Sequence, residues 1–372
     1  MAGPKTTDAD RRHMRHALAL ARRGLGRVAP NPAVGCVIIR DGLIVGRGWT
    51  QPGGRPHAET VALAQAGDRS QGATAYVSLE PCSHTGQTGP CAEALIGAGI
   101  ARVVIAAEDP DERVNGRGIE MLRKAGVDVA VGLLGQQARA LNGGFILNRA
   151  FGRPHITLKL ATSMDGRIAT STGESQWITG AAARAAGHML RATHDAILVG
   201  AGTARADDPE LTCRIEGLEG RSPGRIVLDS RLSISLTSRL VKTVSQAPVT
   251  IFCRGEAPAQ RRQALADAGV EVLDVDADMA GMPAPDQVLA ALAESGVTRL
   301  LIEGGAKVAA SFLRAGLVDE IALFRAPKLL GGDGLAAVAG FGLDDLPDAP
   351  QFRPAGTRRL GDDVLETYRR PD

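Results

Sequence analysis

His57-Ala58-Glu59 is followed, after a run that reads as helix and then strand, by Pro81-Cys82 and Cys91. One imidazole and two thiolates suit zinc. Three protein ligands leave a fourth position open for water, the layout of a catalytic rather than a structural site. Glu59, two residues past the histidine, is placed to carry a proton to and from that water. His84 is the remaining candidate for a closed, four-ligand site. Cys36 lies in an apolar run, where packing is the expectation.

These residues need elements to hold them. Arg11, Arg12, Arg15, Arg22, Arg23 and Arg27 flank Met14, Leu18 and Ala21 at helical spacing, which reads as the solvated face of a first helix. Val34 to Ile39 and Leu43 to Gly48, joined around Asp41-Gly42, form a hairpin signal. The Gly/Pro-rich loop from Trp49 to Pro56 delivers His57 to a helix start that continues through Val61 to Ala66. Strands at Ala73–Leu79, Arg102–Ala107 and Val127–Val131 alternate with helices near Cys91–Ala98 and Gly118–Ala125, arguing a three-layer α/β domain. Cys82 then falls just past the C-terminal end of a strand, where open α/β sheets place ligands.

A chain of 372 residues exceeds what one core serves, so two domains are expected. Leu141 to Pro154, with Asn142-Gly143-Gly144 and Gly152-Arg153-Pro154, reads as the connection, giving domains 1–147 and 148–372. From His155 a second α/β series begins, with seven strands, at Ile156–Ala161, Ala196–Val199, Arg225–Leu228, Val249–Phe252, Val270–Val275, Arg299–Ile302 and Glu320–Phe324. In this half Gly200-Ala201-Gly202 lacks the third glycine of a dinucleotide fingerprint. Leu300 to Lys307, an apolar strand running through Gly304-Gly305 into a helix, is better suited to a phosphate.

Five cysteines in so long a chain make no disulfide framework, and a net charge of +2 gives no case for a nucleic-acid partner. No apolar run is long enough to span a membrane, and Met1 to Asp8 lacks a secretory h-region, so a cytoplasmic location is expected.

His-x-Glu followed by Pro-Cys and a second Cys is the zinc-deaminase signature, here with eight residues between the cysteines instead of two. Asn31-Pro32-Ala33-Val34-Gly35-Cys36-Val37, His57-Ala58-Glu59 and the run from Pro81 to Cys91, with its Ser83-His84-Thr85-Gly86 segment, resemble the deaminase half of the bifunctional riboflavin-biosynthesis deaminase/reductase family. Lys159 to Arg167, Gly173 to Thr179, Ala206 to Thr212 and Glu303-Gly304-Gly305 resemble its reductase half. The resemblance implies a cytidine-deaminase-like three-layer domain and a dihydrofolate-reductase-like domain. It also implies one zinc on His57, Cys82 and Cys91, Glu59 as the catalytic acid/base, and NADPH as reductant. NADP would meet Ala161, Trp177, Thr203, Asp207, Ser230, Gly305, Ala306, Lys307, Val308, Ala309, Ala310 and Ser311. The phosphoribosylaminopyrimidine substrate would meet Asn31 in the first half and Ser175, Arg191, Leu211, Arg214 and Glu303 in the second, with Arg191 and Arg214 as phosphate clamps. A dimer through the reductase domain is a further implication.

Two stretches depart from the family pattern: Thr50 stands where a histidine is usual, and Asp109-Pro110-Asp111-Glu112 where Asp-Pro-Asn-Pro is usual. Both are expected to border the sugar phosphate. The competing readings are a nucleoside or tRNA deaminase with an appended non-catalytic nucleotide-binding domain, and a second half that senses NADPH without reducing anything.

Overall fold

The computed structural model describes residues 6–84, 89–111 and 114–371. The chain divides into two compact units, residues 1–152 and 153–372.

In the first unit, helix α1 (Asp8–Ala21) opens with a capping box in which the Thr7 hydroxyl accepts from Asp10 N–H and the Asp10 carboxylate accepts from Thr7 N–H. Met14, Ala17, Leu18 and Ala21 face the core, while Arg11, Arg12 and Arg15 stay exposed. Strands β1 (Gly35–Arg40) and β2 (Leu43–Trp49) form the hairpin around Asp41-Gly42. There follow α2 (Ala58–Ala66), β3 (Thr74–Val77), α3 (Cys91–Gly97), β4 (Arg102–Ile105), α4 (Arg117–Lys124) and β5 (Asp128–Val131). The sheet order is β2-β1-β3-β4-β5, with β1 antiparallel to both neighbours and β3, β4 and β5 parallel. Helices α5 (Gly135–Leu141) and α6 (Gly143–Phe151) close the unit. The stretch read as a connection is therefore largely helix, and Phe145 of α6 is buried in this core.

Three layers follow from the register. Gly35 pairs with Trp49, and its neighbour Cys36 pairs with Gly48, so Gly35 and Gly48 face opposite sides of the sheet. A β-carbon on Gly35 would strike the Ala17 carbonyl of α1, whereas β-carbons on Gly46 and Gly48 would strike the Ala62 and Ala58 carbonyls of α2. Bare backbone on β2 thus lets α2 lie flat on the strand and fixes the height of its N-terminus.

The second unit contains β6 (His155–Thr162), β7 (Arg167–Ala169), α7 (Ala181–Ala192), β8 (Ala196–Gly200), α8 (Ala201–Asp207), β9 (Gly224–Leu228), α9 (Arg239–Lys242) and β10 (Val249–Cys253). It continues with α10 (Ala259–Asp267), β11 (Glu271–Asp274), α11 (Pro285–Glu294), β12 (Arg299–Ile302), α12 (Ala306–Arg314), β13 (Glu320–Arg325), β14 (Leu335–Ala336), β15 (Arg353–Leu360) and β16 (Asp363–Arg369). All seven expected strands are present and parallel, in the order β11-β10-β9-β8-β12-β6-β13. The hairpin β15/β16, absent from the sequence reading, extends the sheet antiparallel to nine strands. Leu198, Ile226, Phe252 and Leu300 enter one core and Ile197, Val227, Ile251 and Leu301 another, so the parallel strands are buried on both faces. No helix among the described residues is long and apolar enough to cross a membrane.

Replacing Gly48 by Ala should force α2 off β2, costing roughly 1–3 kcal/mol of stability. Because α2 carries His57 and Glu59, zinc content measured on the purified variant should fall as well.

Candidate active sites of the two units

His57 is the N-cap of α2 and Glu59 lies in its first turn. Cys91 is the first residue of α3. Cys82 lies on the segment leaving β3, and the Cys91 backbone N–H donates to its sulfur at 3.3 Å. The ligand atoms of His57, Cys82 and Cys91 all lie within 4.8 Å of one another, and His84 is not in that group. A tetrahedral zinc, with bonds of about 2.1 Å to nitrogen and 2.3 Å to sulfur, would hold nitrogen and sulfur about 3.6 Å apart. His57 Nδ1 lies 3.3 Å from Cys91 Sγ and 3.7 Å from Cys82 Sγ, so both nitrogen–sulfur spacings are close to those the ion would set.

The electrostatics agree. A hydrogen bond from the Cys91 thiol, assisted by His57, holds the Cys82 thiol down to about 4 against its burial, while the same bond and burial push Cys91 up. A cation arriving there meets one thiolate ready formed and displaces one proton. Burial pushes the Glu59 carboxyl up to about 7.

The cluster opens into a pocket whose lining includes Asn31, Thr50, Arg55, Glu80, Asp109, Asp111 and Arg149 beside Glu59 and His84. Asn31 abuts Gly54, and its segment is held by Asn142, whose amide accepts from Ala33 N–H at 2.9 Å and donates to Ala33 O at 3.1 Å. Thr50 is committed to the same segment: its hydroxyl accepts from Val34 N–H at 3.0 Å and donates to Pro32 O at 3.1 Å. Asp111 pairs with Arg149 at 3.5 Å, and burial, with Asp111 and Glu80 nearby, raises Asp109 to about 6. Of the departures noted in the sequence, Thr50 and Asp111 thus line this pocket, as does the neighbouring Asp109. Glu112 lies outside the described residues, as do Thr85 and Gly86.

In the second unit the chemistry-bearing residues gather at the C-terminal ends of four adjacent parallel strands. Ala161 is the last residue but one of β6, Glu303 to Gly305 follow β12, Thr203 lies on α8 directly after β8, and Ser230 follows β9. Thr203 lies beneath Gly304 and Gly305. Val308, Ala309, Ala310 and Ser311 are buried in the unit, Gly305 and Ala306 are half-buried, and Lys307 is exposed. Ser311 donates to Asp278 at 2.8 Å and Ser230 to the Gly281 carbonyl at 3.3 Å. Asp207 ends α8, Ser175 is half-buried between β7 and α7, and Trp177 is exposed, with Arg184 over its ring. Leu211 is buried, so only its backbone is available to a ligand.

Arg191 is placed differently from the phosphate clamp the sequence suggested. Its Nε and Nη2 each donate to Glu303 at 2.8 Å and its Nη1 to the Thr212 carbonyl at 3.0 Å, so the guanidinium fork is already committed. Lys159 stands 3.8 Å from the same carboxylate. Arg214 remains half-exposed, 3.6 Å from Glu210.

Three buried residues that carry no motif position these sites: Asn142, Glu80 and Arg225. Arg225 is fully buried and donates to the Glu210 carbonyl at 3.2 Å and to Thr243 Oγ1 at 2.6 Å, fixing the loop that carries Leu211 and Thr212.

Fold and cluster together define a two-domain α/β enzyme, a zinc-dependent deaminase followed by a reductase. Residues 7–107 match the cytidine and deoxycytidylate deaminase zinc-binding region, and residues 154–365 match the RibD C-terminal domain. The chain is 42% identical to the riboflavin biosynthesis protein RibD of Bacillus amyloliquefaciens, over 95% of each. It is 43% identical to that of Escherichia coli, over 95% of this chain and 98% of the other. Its structure superposes on Acinetobacter baumannii RibD with a TM-score of 0.87 at 37% identity, covering 98% and 99% of the two chains. On a deaminase/reductase from Thermotoga maritima the TM-score is 0.86 at 35% identity, with the same coverage. The chain belongs to the RibD family of riboflavin biosynthesis proteins, bifunctional deaminases and reductases whose cofactors are zinc in the first domain and NADPH in the second.

Glu303 yields a pH prediction. Against burial, which raises it, Arg191 and Lys159 hold its carboxyl at about 2, below the ordinary 4.5. A lowered folded value stabilises fully above the unfolded value, and that contribution is lost as pH falls toward 2. Glu303→Gln should therefore flatten the acid limb of unfolding, followed by Trp177 fluorescence in a Trp49→Phe background. At neutral pH it should cost about 3–5 kcal/mol by leaving Arg191 unpaired.

Proposed function

We propose that the first unit deaminates 2,5-diamino-6-(5-phosphoribosylamino)pyrimidin-4-one. The second then reduces 5-amino-6-(5-phosphoribosylamino)uracil, opening its ribosyl group to ribityl. The Thermotoga maritima relative is described as carrying these two activities. The observation that carries the reading is the meeting of a zinc-fitting His57/Cys82/Cys91 cluster with a buried Glu59 in one pocket.

When bound, zinc supplies the Lewis acidity that makes water a nucleophile near neutral pH. Glu59 takes one proton from the attacking water and passes it to the ring nitrogen, then takes the second from the hydroxyl so formed on the carbon and delivers it to the amino group, which leaves as ammonia. Asn31, held by its neighbours, orients the pyrimidine, and Arg55 and Arg149 meet its anionic end.

In the second unit NADPH, when bound, supplies the hydride. The first-turn amides of α12, with Lys307, Thr203 and Ser230, hold the cofactor's phosphates and ribose, and Ala161, Trp177 and Asp207 border it. Arg191 positions Glu303 against the sugar, Arg214 takes the substrate phosphate, and Ser175 and the Leu211 backbone complete the contacts. Lys159, beside Glu303, is the proton donor for the ring-opened sugar.

We also assign a dimer through the second unit, whose outermost strand β15 is exposed from Arg353 to Arg359, and a cytoplasmic location, where paired thiols stay reduced.

Glu59→Gln should lower ammonia release by about 100- to 10,000-fold. NADPH oxidation, followed at 340 nm with the deaminated uracil supplied directly, should be unchanged. Ammonia release at the parental rate would overturn the assignment.

A further inference from the structure

We propose that Glu80 is a positioning residue of the deamination. Its carboxylate ties the far wall of the pocket to the segment carrying Cys82 and so sets how the pyrimidine meets the metal cluster. This rests on the reading of the first unit as the deaminase.

Glu80 leaves β3 two residues before Cys82, and 4% of its surface is exposed. One carboxylate oxygen accepts from Gly118 N–H at 2.9 Å and Ile119 N–H at 3.2 Å. The other accepts from Gly116 N–H at 3.0 Å and Asp109 N–H at 3.2 Å. A carboxylate has roughly four acceptor sites, so this one is saturated. It is outside the metal-binding group and has no capacity left for a substrate proton. Its effect must pass through what it holds.

It holds both ends of a pocket wall. Asp109 and Gly116 flank the segment that presents Asp109, Asp111 and Val114 to the pocket containing Glu59, and Gly118 and Ile119 are in the first turn of α4. Those two amides have no partner within their own helix, so Glu80 also caps α4 from outside. A second tether lies beside it: a β-carbon on Gly118 would collide with the Pro81 carbonyl, one residue from Cys82. The segment carrying Cys82 is thereby tied to Asp109, Gly116 and the first turn of α4, and a displacement of about 1 Å between such parts can cost about a hundredfold in kcat/KM.

Glutamine at this position would keep the shape but turn one oxygen into an NH2 facing two N–H donors. Full-length Glu80→Gln is therefore expected to retain one zinc per chain and the parental reductase rate. Its deaminase KM should rise about tenfold or more, with kcat less affected, and amide exchange at Gly116, Gly118 and Ile119 should quicken at least as much. Glu80→Asp, which keeps the charge but is shorter by one methylene, should recover part of the KM. Unchanged KM and exchange, or loss of zinc in step with loss of activity, would overturn the proposal. If Glu80→Gln does not fold, exchange in the parental protein decides: the amides of Asp109, Gly116, Gly118 and Ile119 should be strongly protected, and rapid exchange contradicts the tether. Failure of the parental protein to release ammonia would instead sink the deaminase reading and leave that exchange result standing.

Discussion

Bringing two sulfurs and an imbedded imidazole within 4.8 Å is the constraint on which the first unit depends. Without a cation the two sulfurs share a proton, Cys82 held low and Cys91 pushed up. With one, both become ligands. The fold supplies this proximity from three separate places: the start of α2, the segment leaving β3 and the start of α3. Each is fixed by backbone rather than by flexible side chains. Bare glycines on β2 seat α2, the Cys91 amide binds the Cys82 sulfur, and Ala92 N–H donates to the Cys82 carbonyl at 3.2 Å. Helix N-termini also favour negative charge, which suits thiolates and Glu59 alike.

The second unit places its site by the same logic on a larger sheet. Four neighbouring strands end together, and the turns beyond them carry the candidate ligand-binding groups, at the edge where open α/β sheets place their ligands. There the organising charge is Glu303, which gathers Arg191 and Lys159 around one carboxylate. Arg191 couples the loop at Thr212 to that carboxylate, and Arg225 holds the Glu210 carbonyl of the same loop. Both sites therefore rely on buried polar residues whose hydrogen bonds go to backbone.

Much of this was legible beforehand. Short β-rich runs marked β1 and β2, Asp41-Gly42 marked their turn, and the apolar runs of the parallel strands marked all seven in the second unit, because burial on both faces leaves little room for polar residues. His57, Glu59, Cys82 and Cys91 were legible because metal chemistry demands specific types. What escaped had no such demand. The edge strand β15, Arg353–Leu360, buries only Leu360 and so carries no alternation. Helix α6 begins Gly143-Gly144, which reads as a linker until Phe145 is seen in the core. Glu80, Asn142 and Arg225 act on backbone groups remote in sequence, a relation that periodicity cannot carry. The commitment of Arg191 to Glu303 likewise depends on two residues 112 positions apart.

The most direct test of the metal centre is X-ray absorption at the zinc edge on the purified full-length protein. The account predicts a shell of two sulfurs at about 2.3 Å and one imidazole nitrogen plus one further light atom at about 2.0–2.1 Å. A shell with four protein ligands, or one without sulfur, would contradict it.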